Sequence, residues 1–92
     1  MKEEEKRTFE LFKVLGNPVR LQIIEMLGEK KFCVNEFVKS LKKPQCSISN
    51  NLKKLRDKDI VGFITVGKKV YYYLKKTELI DLIAYAKRII SR

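Results

Sequence analysis

A mainly α-helical domain carrying one β-hairpin is the fold class these 92 residues predict. Three observations carry it. Apolar residues recur at helical spacing in separate stretches, Asn, Pro and Gly punctuate the gaps, and one pair of β-prone runs, "IVGFITV" and "VYYYL", brackets the turn "GKK". A chain of this length forms a single domain, 1–92, whose core is thin, and a second copy is the usual remedy for a shortage of buried apolar surface. Hydrophobic residues make up 45% of the chain, which places it among folding sequences rather than disordered tails.

The first helix is expected over roughly Glu3 to Leu15, with Phe9, Phe12 and Val14 or Leu15 as its apolar stripe. Gly16 stops it. Asn17 is a good N-cap and Pro18 a favoured first helical residue, so a second helix starts there and runs to Gly28 on Leu21, Ile24 and Leu27 or Met26. The β-leaning "KKFCV" follows, then a short third helix near Val34 to Leu41 with Phe37 and Leu41 four apart. Pro44 opens the fourth, "QCSISNNLKKLRDKD", in which Ile48, Leu52 and Leu55 form one stripe. Gly67 turns the hairpin. Thr77 is the expected cap of the last helix, with Glu78 and Asp81 in its first turn and Lys87, Arg88 and Arg92 near its end, matching the helix dipole. That helix is apolar over much of its circumference, as an interface helix is. Helix, helix, short strand, helix, helix, hairpin, helix is the order of a winged helix-turn-helix.

Charge says what such a domain would meet. There are 21 Lys+Arg against 11 Asp+Glu, a net of +10. Residues 1–29 hold 5 basic and 6 acidic side chains, residues 30–76 hold 13 and 3, and residues 77–92 hold 3 and 2. The whole excess sits in the middle segment, the footprint expected for a polyanion. An anionic membrane surface is the weaker fit, because no helix pairs a basic face with a Trp- or Phe-rich one. Lys or Glu interrupts every window long enough to span a bilayer, and "MKEEEKR" has no apolar signal core behind it, so a cytoplasmic protein is expected. With no His, and no Ser or Cys beside an evident general base, there is no catalytic constellation and no cofactor site to nominate.

In a helix-turn-helix the second helix enters the major groove and its N-terminal residues reach base edges. The fourth helix suits that place. Gln45 and Asn50 offer donor and acceptor together, the pairing that reads adenine, while Ser47 and Ser49 can contact bases or phosphate and let the backbone approach closely. Its own N-terminus attracts phosphate. Ser47, Asn50, Lys53 and Lys54 fall on or beside the side opposite the apolar stripe, and Ser49 lies nearest to it. Lys53, Lys54 and Arg56 are backbone clamps, and Lys68 and Lys69 at the hairpin tip would track phosphates. The plainer readings are that the serines only cap a helix and the hairpin lysines only blunt a sheet edge. Tyr71, Tyr72 and Tyr73 alternate in facing along their strand, which suits packing better than a stacking platform for single strands.

These residues resemble the ArsR/SmtB family of winged-helix repressors. "LFKVLGNPVRLQIIEML" looks like that family's opening, and the pattern continues through "FCVNEFVKSL" and "PQCSISNNLKKLRDKDIV" to "GKKVYYYL", covering roughly Glu10 to Leu74. Its most specific piece is Gln45-x-x-Ile48-Ser49-x-x-Leu52-x-x-Leu55-Arg56. The resemblance implies a homodimer, dimerising through the N- and C-terminal helices, that binds a palindromic duplex operator and represses transcription. The departures concern metal: where family sensors carry Cys-x-Cys this chain reads Cys33-Val34-Asn35, there is no His for a site on the last helix, and Asn51 stands where a His is common. Zinc takes four N, S or carboxylate ligands, and one chain offers two thiols, so no metal ligands are assigned.

The thiols are too far apart for each other. A helix of eight residues separates them by about 12 Å, beyond the ~7 Å reach of a disulfide. Cys33 is expected to be a buried small hydrophobe. Cys46, at a helix start in a basic setting, is either a small residue that fits there or an oxidation-sensitive thiol at the edge of the DNA surface. The reading is thus a homodimeric, sequence-specific duplex-DNA regulator contacting DNA through Gln45, Cys46, Ser47, Ser49, Asn50, Lys53, Lys54, Lys68 and Lys69, with degenerate metal sites. The alternative is a nonspecific chromatin-like or single-strand binder.

Overall fold

The computed structural model of the chain describes residues 1–91. Five helices and one hairpin follow in the expected order: α1 Glu3–Leu15, α2 Pro18–Leu27, α3 Val34–Leu41, α4 Gln45–Asp57, β1 Val61–Val66, β2 Lys69–Leu74 and α5 Glu78–Ile90. This is the winged helix-turn-helix architecture.

Local chemistry places each boundary. Asn17 Oδ1 accepts from the N–H groups of Val19 (2.9 Å) and Arg20 (3.1 Å), so α2 starts on a side-chain cap with Pro18 behind it. The α4 C-terminus is a Schellman motif. The Ile60 N–H donates to the Leu55 carbonyl (3.0 Å) and the Asp59 N–H to the Arg56 carbonyl (2.9 Å), while Asp59 takes the left-handed φ of 58°. Leu55 and Ile60 are both fully buried, which supplies the apolar contact that accompanies this cap. At the hairpin tip Gly67 has a φ of 63°, a conformation only glycine adopts without strain. Thr77 departs from expectation: it already has helical dihedrals and makes no side-chain cap bond. Its hydroxyl therefore cannot reach back to the orphan N–H groups, and the chain enters α5 through tight backbone turns at Lys76 and Thr77.

The core is one cluster. Ile23 and Ile24 of α2, Phe37 of α3, Ile48 and Leu55 of α4, and Ile60 are at 0% exposure. Burying a side chain of this kind stabilises by roughly 1.5–3 kcal/mol. The hairpin pairs Val61 with Leu74 at its base and Val66 with Lys69 at its tip, antiparallel throughout. "KKFCV" yields a single bridge, Phe32 to Tyr72, rather than a strand. Phe32 also packs its ring on Phe37, 5.5 Å between centroids, which fixes the hairpin base to α3.

One apolar expectation changes. Phe9 and Phe12 of α1 are each 56% exposed; Val14 and Leu15 turn inward instead. On α5, Leu79 and Ile83 are buried, whereas Tyr85, Ile89 and Ile90 stand in the open. No helix among the described residues is long and apolar enough to cross a membrane.

Candidate nucleic-acid interface

Packing of the stripe Ile48, Leu52 and Leu55, all within 1% exposure, decides which way α4 presents its polar residues. At about 100° per residue, Asn50 and Cys46 project away from the core, with Lys53 and Lys54 on either side of them. All four are exposed, as are Gln45 and Ser49. The two serines exchange their expected places. Ser49 is exposed on the flank shared with Gln45, whereas Ser47 is half-buried on the flank facing α2. The reason is Asn51, whose Nδ2 donates to the Ser47 carbonyl at 2.8 Å while its Oδ1 accepts from Arg20 Nη1 at 3.0 Å. That amide couples α4 to α2, and the flank carrying it lies against the neighbouring helix.

The hairpin stands on the other flank. Lys68 and Lys69, Asn35 and Lys39 of α3, Gln45 and Tyr71 line one concave surface of about 440 Å³. The wing tip and the start of α4 thus share one basic hollow. Glu36 is its one acid. The Cys33 N–H donates to Glu36 Oε1 at 2.9 Å and the Cys33 side chain adds a second contact, which together hold the Glu36 carboxyl below its usual range. Glu36 is thereby committed to capping α3.

Sequence reasoning missed Asn35 and Lys39. Both lie in a helix chosen for its apolar pair, and the available signal was their i, i+4 spacing on its other side. Arg56 was expected as a phosphate clamp, but its guanidinium lies 5.5 Å over the Phe63 ring and braces α4 against β1. Lys53 pairs with Asp57 at 3.0 Å, an exposed contact worth little. The tyrosines form no platform: Tyr71, Tyr72 and Tyr73 are all half-buried, Tyr72 packs at a tilt against Phe63 with 5.9 Å between ring centroids, and Tyr73 lies across Gly62.

Cys33 is not the buried hydrophobe expected. It is half-buried and serves as the N-cap of α3 in a box with Glu36. Both cysteines are free. Among the described residues of the single chain no three His, Cys, Asp or Glu side chains converge, and Cys33 and Glu36 cap each other's backbone.

The sequence model described as "Bacterial regulatory protein, arsR family" matches residues 17–62, which run from the α2 cap to the start of β1. The chain belongs to the ArsR family. Relatives agree along most of its length. The HTH-type transcriptional regulator MJ1325 of Methanocaldococcus jannaschii is 34% identical over 88% of this chain and 92% of its own. The HTH-type transcriptional repressor SmtB of Mycobacterium tuberculosis is 36% identical over 84% of this chain, which covers 60% of that protein. Among solved structures, a homodimeric winged helix-turn-helix DNA-binding domain from Mycobacterium bovis superposes with a TM-score of 0.82 over 99% of this chain and 88% of its own. At 20% identity that last likeness concerns the fold alone. The family model describes regulatory proteins, and MJ1325 and SmtB are by description a transcriptional regulator and a transcriptional repressor.

Proposed function

We propose that this ArsR-family protein binds a specific duplex operator as a homodimer and represses transcription in the cytoplasm. The observation that carries the reading is the shared hollow: Gln45 at the start of α4 and Lys68 and Lys69 at the wing tip face one space. A helix seated in the major groove through Gln45, Ser49 and Asn50 leaves those lysines beside the flanking phosphates. Lys39 and Lys54 add positive charge at the two edges of the same face, with Cys46 and Lys53 between them. Ser47 contributes through its place in the backbone, since its side chain is half-buried.

Dimerisation rests on the apolar residues left open on the terminal helices, Phe12 of α1 and Tyr85, Ile89 and Ile90 of α5. Exposed apolar surface gathered on two helices is costly in water and is covered by a second copy. The M. bovis domain of the same fold is a homodimer. Two-fold symmetry then calls for a palindromic operator with half-sites about one helical turn apart. The metal-sensing sites are degenerate in this reading, since Cys33-Val34-Asn35 offers one thiol and the chain has no His.

Selection from a random duplex pool, followed by competition of the enriched palindrome against random duplex and single strands, tests the proposal. Preference for the palindrome by about 10³-fold or more supports it. Equal affinity for all three would leave a nonspecific binder, a reading the half-buried tyrosines already disfavour.

A further inference from the structure

A second hollow lies on the opposite flank of α4, between that helix and α1, with a volume of about 710 Å³. Small-molecule pockets run from roughly 300 to 1,000 Å³. Its apolar wall is Phe9 and Val14, and its rim carries five cations, Lys6, Lys13, Arg20, Lys54 and Lys58, against two acids, Glu10 and Asp57. Both acids are already answered. Lys58 Nζ donates to Glu10 Oε2 at 2.5 Å, which holds the Glu10 carboxyl below its usual range, and Lys53 takes Asp57 at 3.0 Å. Lys6, Lys13 and Lys54 keep no acidic partner among the described residues. An apolar wall under unmatched positive charge fits an anion with an apolar body.

Arg20 connects this hollow to the DNA surface. Its Nε donates to the Val14 carbonyl at 2.5 Å and its Nη1 to Asn51 Oδ1. Nη2 makes no hydrogen bond among the described residues. Asn51 in turn holds the Ser47 carbonyl, in the first turns of α4. An anionic head reaching Arg20 accepts charge-assisted hydrogen bonds, which are about twice as strong as those to a neutral amide. A bidentate head that takes Nη1 together with the free Nη2 competes with Asn51 Oδ1 for Nη1 and weakens the contact fixing α4 to α2.

We propose that the α1–α4 groove binds an amphipathic monoanion, a carboxylate or sulfonate with an apolar body, and that occupancy weakens operator binding through Arg20 and Asn51. The second half rests on the duplex-DNA reading above. Coupling between sites is reciprocal, so operator must weaken the anion's binding by the same factor.

The test uses 8-anilinonaphthalene-1-sulfonate, followed by its fluorescence, together with operator anisotropy on the full chain. Saturable probe binding is expected, weakened about tenfold or more in the double variant Lys6→Glu, Lys13→Glu, with operator affinity about tenfold lower at saturating probe and probe affinity about tenfold lower on operator, typical coupling factors. Asn51→Ala should still bind probe but lose the antagonism in both directions, and Asn51→Leu, which keeps the side-chain volume, serves as a second uncoupling variant. Unchanged probe binding in the double variant would place the probe elsewhere on the protein and overturn the site. Antagonism that persists in both Asn51 variants would reduce the effect to charge in the groove and overturn the route. Absence of duplex binding without any probe would sink the DNA reading alone, leaving the groove decided by the double variant.

Discussion

Removing the wing's charge should flatten the salt dependence of DNA binding without changing which sequence is preferred. Four lysines on the proposed face carry no acidic partner among the described residues: Lys39, Lys54, Lys68 and Lys69. A dimer presents each twice. At a slope of about −0.9 per neutralised phosphate, eight contacts give a log–log slope of about −7, and raising salt from ~50 to ~200 mM costs about 10⁴ in affinity. Lys68→Ala with Lys69→Ala removes half of those contacts. The slope should fall to about −3.6, and the same change of salt should then cost only about 10². Fluorescence anisotropy on the selected palindrome and on a random duplex, each at four or five salt concentrations, measures both quantities. The variant should lose affinity for the two duplexes in parallel, because phosphate contacts position without reading sequence. A slope that stays near −7 would mean the wing lysines do not reach the backbone. A collapse of the preference for the palindrome would mean they read bases, and the division of labour between helix and hairpin would be wrong.

Asn50→Ala should leave the salt slope intact and lower the ratio of specific to random binding by about 5- to 150-fold, the worth of one good base contact, read by the same competition assay. Ile89→Asp with Ile90→Asp should convert dimer to monomer in analytical ultracentrifugation while the circular dichroism spectrum persists, since both side chains are exposed in the single chain. The hydrogen bond and charge of Lys75, with a smaller contribution from Lys76, hold the Asp59 carboxyl below its usual value. A carboxylate with a depressed folded-state pKa contributes stability above its unfolded pKa and loses it as pH falls through the folded one. Chemical denaturation of wild type should therefore show an acid-side loss below about pH 4 that Asp59→Asn lacks at that position. Leu52→Ala should cost about 2–5 kcal/mol in the same measurement, as large-to-small substitutions at close-packed sites do.

Elements defined by local chemistry were readable from the chain: the Asn17–Pro18 start of α2, the Gly67 turn and the Ile48, Leu52 and Leu55 stripe depend on neighbours within a few residues. What escaped depended on distant partners. The facing of Ser47 and Ser49 follows from where Arg20 sits, 31 positions before Asn51, and no period within α4 encodes that. Phe12 looks like a core residue because a stripe on a helix has the same spacing whether its partner is the same chain or a second copy. Thr77 failed as a cap for the reverse reason: the residue type was right, but the strand end at Leu74 delivers the chain already helical.

Asn51 ties these points together. The resemblance marks its position as one commonly held by histidine, and a histidine there could join a metal site. In this chain the amide supplies an acceptor to Arg20 and a donor to the Ser47 carbonyl at the same time. A neutral imidazole could also accept on one nitrogen and donate on the other, but it would change charge near pH 6.5 and would then repel the guanidinium. Asparagine keeps both bonds at every physiological pH. Asparagine there gives a permanent contact in place of a titratable, metal-competent one, in a chain that has no histidine to sense with. A signal reaching α4 through this flank must then act on Arg20, the one charged member of the contact, and the groove rimmed by lysines is where an anion would meet it.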